Sequence, residues 1–120
     1  MTTGRIDANL EAHIELPVRA GEVFLDVDFL LDTGFNGHLS VTPSLVKSLG
    51  LELKDAQSGV TADGRVGYFA TVDLTVFWQD DEITVRAQVL DETMLGTRML
   101  KGCEFHADWT VDGVVLISGR

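Results

Sequence analysis

The chain has 120 residues, 45% apolar and 23% charged, an ordinary globular composition for one domain spanning residues 1–120. Nine Lys and Arg against 19 Asp and Glu leave a formal net charge of −10. That balance argues against nucleic acid and against an anionic membrane surface as partners, because both need clustered basic side chains. Cys103 is the single cysteine, so no disulfide can close within the chain, and a reducing compartment is expected. No stretch approaches the roughly 20 apolar residues of a membrane span, and the first residues lack a secretory-type apolar run. The expectation is a soluble cytoplasmic protein.

Residues 5–16 alternate with period two. Ile6, Ala8, Leu10, Ala12, Ile14 and Leu16 share one face, the pattern of a half-buried strand. Pro17 to Gly21 reads as a break. Glu22 to Leu31 alternates again, with Val23, Leu25, Val27, Phe29 and Leu31 together, so the two strands are expected to form an antiparallel hairpin. A glycine-containing loop, Asp32-Thr33-Gly34-Phe35-Asn36-Gly37, follows, and Leu39 and Val41 resume a short extended piece. Thr42 can cap a helix that starts at Pro43 and stops at Gly50, with Leu45, Val46 and Leu49 on one face.

Residues 58–68 hold three glycines and an Asp63-Gly64 pair, a hairpin-turn signal. Val72, Leu74, Val76 and Trp78 form one face of the next strand, and Ile83, Val85, Ala87 and Val89 that of its successor, with a polar turn between them. Thr97 to Lys101 predicts a single helical turn closed by Gly102. Cys103, Phe105, Ala107 and Trp109 alternate once more, and Asp112-Gly113 turns the chain into Val114 to Ile117. About seven short strands and one or two small helices make an all-β domain with a closed or folded-over sheet.

One position stands against its surroundings. Asp32 directly follows the apolar run Phe29-Leu30-Leu31, and a carboxylate entering a core is costly unless hydrogen-bonded or protonated. A glycine loop can aim backbone N–H groups at it. As a bare tripeptide Asp-Thr-Gly is weak, since a surface turn can spell it by chance. Its frame, an apolar strand before and a capped helix after, makes an active-site loop the better reading.

Other chemistries lack a signature. His13, His38 and His106 match no compact ligand spacing, so no metal is expected. Cys103 lies on an apolar strand face and reads as an inert thiol, no Gly-x-Ser-x-Gly occurs, and the glycines at 59, 64 and 67 do not open a helix as a phosphate loop requires. Trp78 and Trp109 read as core residues.

FLLDTGFNG followed by a short helix resembles the active-site segment of retropepsin-like (clan AA) aspartic proteases. Residues 58–69 (SGVTADGRVGYF) sit where that family carries its flap hairpin. MLGTRMLKGCEFHADW resembles its second hydrophobic-hydrophobic-Gly element with the short helix and strand after it. The likeness covers the chain from about the first strand to Trp109. The Asp-Thr-Gly-Phe variant is similar to a small prokaryotic branch of the family. The resemblance implies a small closed β-barrel of the acid-protease type, assembled as a homodimer, and an aspartic endopeptidase in which two carboxylates share one proton and activate a water. No cofactor is implied.

Only one Asp-Thr-Gly is present, so the implied dyad takes one Asp32 from each of two identical chains. By the same resemblance Thr33 links the two loops, Gly34 allows close backbone approach, and the terminal strands supply the interface. An extended peptide lies between Asp32 and a flap of Val60, Thr61, Ala62, Asp63 and Gly64, with Phe35 and Leu39 lining apolar pockets. Phe35 departs from the small Ala or Ser of the best-known members. The alternative is a catalytically inactive peptide-binding or dimerisation module on the same fold.

Overall fold

The structure, a computed structural model, describes residues 1–60 and 64–119. These described residues form ten strands and two short helices. In chain order these are β1 (Thr2–Ile6), β2 (Ala12–Ala20), β3 (Val23–Leu31), β4 (Leu39–Val41), α1 (Pro43–Leu49), β5 (Lys54–Val60), β6 (Val66–Trp78), β7 (Asp81–Val89), β8 (Met94–Leu95), α2 (Thr97–Leu100), β9 (Cys103–Ala107) and β10 (Val114–Gly119). The all-β expectation with two small helices stands, and the sheet closes. Strands β6, β7, β4, β8, β3 and β2 form a ring that shuts where Val18 of β2 pairs Val76 of β6. Strand β5 extends from β6, while β1, β10 and β9 continue the sheet beyond β2.

Period-two patterning fills the barrel. Val72, Leu74, Val76 and Trp78 of β6 are buried, as their alternation predicts, against Ile14, Leu16 and Phe29. The hairpin β2–β3 turns at Gly21 (φ 65°), and β6–β7 turns at Gln79 and Asp80 (φ 51° and 68°), the paired left-handed residues that match strand twist. Helix α1 begins where Thr42 Oγ1 accepts from Leu45 N–H at 3.2 Å and ends at Gly50 in the left-handed conformation.

Several details differ from expectation. Residues 5–16 are not one strand. Strands β1 and β2 pair antiparallel (Ile6 opposite Ala12), and between them Asp7 Oδ1 accepts the N–H groups of Asn9 (2.8 Å) and Glu11 (3.0 Å), an Asx turn. Leu10 sits at φ 62° and is exposed, not part of the buried face. Pro17 does not end β2, which runs to Ala20. It falls between the residues paired to β1 (up to Ile14) and to β6 (Val18), where a missing N–H is tolerated. Val23 and Leu25 share a face with Phe29 by alternation but lie toward the turn end of the hairpin and are exposed. Strand β9 stops at Ala107, so Trp109 is 52% exposed and not a core residue. Strands β1 and β10 pair with each other within the chain, and their other edges carry β2 and β9.

Candidate functional site

The site is an arch. Strand β8 is only two residues long, yet it has β3 parallel on one side (Leu31 beside Leu95) and β4 antiparallel on the other (Leu39 beside Leu95). To pass from β3 to β4, residues 32–38 must cross over the C-terminal end of β8, where the chain continues as Gly96. Backbone bonds clamp this crossing on both sides. Asp32 N–H donates to the Leu95 carbonyl (3.1 Å), Gly96 N–H to that of His38 (2.9 Å), Thr97 N–H to that of Phe35 (2.9 Å) and Arg98 N–H to that of Gly37 (3.2 Å). Arg98 Nε adds a longer bond to the Asn36 carbonyl, at 3.4 Å.

The fit under the arch requires glycine at position 96. A Cβ there would lie 2.2 Å from the Gly37 carbonyl oxygen and 2.6 Å from that of Phe35. The apolar pair Met94-Leu95 before it is positioned by Ser40. Its hydroxyl donates to the Glu92 carbonyl (2.7 Å) and accepts from Met94 N–H (2.9 Å). The sequence marked this stretch as a hydrophobic-hydrophobic-Gly element but not the role of Gly96, Thr97 and Arg98. The motif was the available signal; the carbonyls they serve lie about 60 residues away in sequence.

Asp32 sits half-buried at the start of the arch, and its Oδ1 accepts Gly34 N–H at 2.8 Å. That bond orients the carboxylate within its own loop and leaves Oδ2 without a partner among the described hydrogen bonds. Thr33 and Gly34 are exposed beside it. Phe35 is half-buried against Gly37 and Gly96, while Leu39 is fully buried. Leu39 therefore supports the arch from the barrel core and offers no surface to a pocket, a correction to the expected lining. His38, also half-buried, has its pKa lowered by burial and then by the nearby Arg98 charge, which favours the neutral ring.

The hairpin expected as a flap is formed by β5 and β6, with backbone pairing out to Gly59 opposite Gly67 and Val60 opposite Val66. Gly64 has the left-handed φ of 83° that its turn position demands. Thr61, Ala62 and Asp63 lie outside the described residues. Strand directions also bring other loops to the Asp32 end of the sheet. Because β3, β2, β1, β10 and β9 are successively antiparallel, the Asp7–Glu11 turn and the 108–113 loop share that end. They expose Leu10, Trp109 and Val111 there.

A second polar constellation escaped the sequence reading. His13 Nδ1 lies 2.8 Å from Asp28 Oδ2 and its Nε2 lies 2.6 Å from Asp7 Oδ2, so one imidazole ties the β1–β2 turn to β3 across β2. Partial burial alone would lower the His13 pKa. The two hydrogen bonds and the two carboxylate charges outweigh it and hold the ring's pKa above 6.5. Asp7 is held below 3.8, first by the Glu11 N–H, against a desolvation cost, and then by His13 and the Asn9 N–H. His13 and Asp28 border an open cleft of about 300 Å³ with Leu30, Thr42, Asp91, Glu92 and Thr93. Nothing in the spacing of residues 7, 13 and 28 reveals this contact; it follows from strand register.

Among the described residues no group of three or more His, Cys, Asp or Glu side chains is arranged to hold a metal ion. Cys103 is half-covered, its Sγ 3.9 Å from the Met99 carbonyl. No helix among these residues is long and apolar enough to cross a membrane. Comparison with family models, curated proteins and solved structures finds no match to this chain.

Proposed function

We propose that this chain is one half of a retropepsin-type aspartic endopeptidase, completed when two copies bring their Asp32 carboxylates together. The observation that carries the reading is the Asp32 arch. A half-buried carboxylate follows an apolar strand, is oriented by Gly34 N–H, and is locked over Gly96 by four backbone hydrogen bonds. Loops held this rigidly suit a group that must be placed accurately for chemistry. The arch holds the Asp32 carboxylate and no Ser or Cys side chain, and a carboxylate acting on water is the chemistry we assign to it.

In the proposed dimer the two Asp32 groups share one proton, since two adjacent carboxylates cannot both stay charged. The ionised one takes a proton from a water, whose oxygen attacks the scissile carbonyl. The protonated one donates its hydrogen to the carbonyl oxygen. Collapse of the tetrahedral intermediate breaks the C–N bond as the Asp32 that took the water's proton gives it to the amide nitrogen, and one hydroxyl of the intermediate returns a proton to the other Asp32 as the carboxyl product forms. The Thr33 hydroxyls, exposed beside Asp32, would link the two loops. An extended peptide would add as a strand beneath the β5–β6 hairpin. No cofactor enters this scheme.

The interface needs no exchange of terminal strands. Leu10, Trp109 and Val111 are exposed at the end that carries Asp32, and apolar surface there suits a second copy. The test is peptide cleavage by wild type and Asp32→Asn, with oligomeric state measured in parallel. Asp32→Asn keeps the shape and loses the base, so the rate should fall by about 10²–10⁴-fold. Cleavage persisting undiminished in the purified variant would end the catalytic reading. A dimer that cleaves nothing in a peptide library would favour a peptide-binding module on the same fold.

A further inference from the structure

We propose that Phe35 is a positioning residue for Asp32, its ring wedged onto the bare backbones of Gly37 and Gly96 so that the arch, and the carboxylate at its start, has one geometry. The inference rests on the reading of Asp32 as the reacting group. Phe35 is the middle of a relay. Its N–H donates to the Asp32 carbonyl (3.1 Å), and its own carbonyl accepts from Thr97 N–H (2.9 Å) and, more weakly, from Thr97 Oγ1 (3.4 Å). Whatever fixes Phe35 therefore fixes Asp32 against α2.

The ring supplies that fixing. A Cβ on Gly37 would lie 2.6 Å from Phe35 Cζ and 2.8 Å from Cε1, and a Cβ on Gly96 would lie 2.8 Å from Cδ2. Real Cβ atoms do not approach so closely, so the ring occupies the space that side chains at 37 and 96 would take. The two cases differ usefully. Gly96 is also crowded by backbone carbonyls, whereas the three heavy atoms nearest a Cβ on Gly37 all belong to the Phe35 ring. A side chain at position 37 would therefore have to push the Phe35 ring out of its place. A ring folded back into its own loop is a brace, and the role differs from pocket lining.

The experiment is a mutant cycle of Phe35→Ala, Gly37→Ala and the double variant, with Phe35→Leu as the conservative substitution. Two readouts are used: kcat and KM on a cleaved peptide, and the NMR shift of the 13C-labelled Asp32 carboxyl carbon. Phe35→Ala should lower kcat by about 10²-fold, the cost of a misplacement near 1 Å, with KM unchanged, and should move the Asp32 signal. Gly37→Ala should do the same by displacing the ring. The double variant should be no worse than Phe35→Ala alone, because the clash has gone, and Phe35→Leu should recover most of the loss. Additive losses in the cycle would overturn the proposal, as would a raised KM at unchanged kcat or an Asp32 signal that none of the variants moves. The NMR arm decides the positioning claim even if no peptide is cleaved, so its failure is distinct from failure of the protease reading. If Phe35→Ala does not fold, Phe35→Leu and Gly37→Ala carry the same comparison.

Discussion

Gly96→Ala is the sharpest test of the arch. The added methyl would begin 2.2 Å from the Gly37 carbonyl oxygen and 2.6 Å from that of Phe35, both backbone atoms that cannot rotate away. Ordinary contact starts at 3.4 Å, so going from 2.2 to 3.4 Å lifts the crossing by about 1.2 Å. A lift of that size breaks or stretches the bonds from Gly96, Thr97 and Arg98 N–H to the His38, Phe35 and Gly37 carbonyls. At about 1 kcal/mol each, the loss is about 3 kcal/mol. That is a large part of the roughly 5–15 kcal/mol that stabilises a domain, and corresponds to a fall in Tm of roughly 10–20 °C. Cleavage should fall by about 10²-fold or more from displacement of Asp32. The assay is thermal unfolding followed by circular dichroism, with Gly119→Ala as control, since a Cβ there meets nothing within 4 Å. A Gly96→Ala protein that melts with wild type would refute the arch as described.

The His13 clip makes stability depend on pH in a definite direction. The folded-state pKa of His13 is raised above 6.5, so its contribution is complete below that pH and is lost as pH rises through the folded value. Asp7 is depressed below 3.8, so its part is complete above that pH and is lost only at stronger acidity. The Tm difference between wild type and His13→Asn should be largest near pH 5.5 and shrink toward pH 8.5; a difference constant over that range would contradict the clip. The proposed dimer joins two copies of net charge −10. Added salt shortens the Debye length from about 10 Å at 0.1 M to about 3 Å at 1 M, so dimer fraction and specific activity should rise with salt and with protein concentration. Light scattering beside an activity titration checks this, and a specific activity flat over a hundredfold dilution would count against it.

Much of the barrel was legible because burial imposes a period on sequence. Val72 to Trp78 alternates and is buried, and Thr42-Pro43 and Gly50 mark the ends of α1 through capping chemistry that acts within a few residues. The missed β1–β2 turn shows where periodicity misleads. Ile6 and Ala12 are both buried, and the residues between them are odd in number, so alternation continues in phase through a chain reversal. The Asp7 Asx turn was the only local cue. Trp109 kept the phase of β9 but lay beyond its end, where no opposing layer covers it. Asp32 was found because a carboxylate after three apolar residues is locally anomalous. The requirement for glycine at position 96 arises between segments about 60 residues apart, and the His13 pairs, though only 6 and 15 residues apart, depend on the turn after β1 and the β2–β3 register, which no local pattern encodes.

The fold separates what one chain can satisfy from what it leaves open. Both edges of β1 and of β10 are taken within the chain, and the ring closes at Val18 and Val76. The open edges of the sheet, among the described residues, are those of β5 and β9. The Asp32 arch is complete in its backbone bonding, yet it presents one carboxylate where the proposed chemistry needs two. Stability and activity are then set by different equilibria. The first is intramolecular within each barrel, and association adds to it only by mass action. The second, in the proposed dimer, would be a contact between loop surfaces bearing Leu10, Trp109 and Val111 on a strongly anionic body, opposed by charge and favoured by apolar burial. A substitution such as Trp109→Ala should therefore lower specific activity through dimerisation while leaving the melting temperature unchanged at protein concentrations dilute enough for wild type to be monomeric by light scattering; a fall in Tm under those conditions would place Trp109 in the barrel's own packing instead.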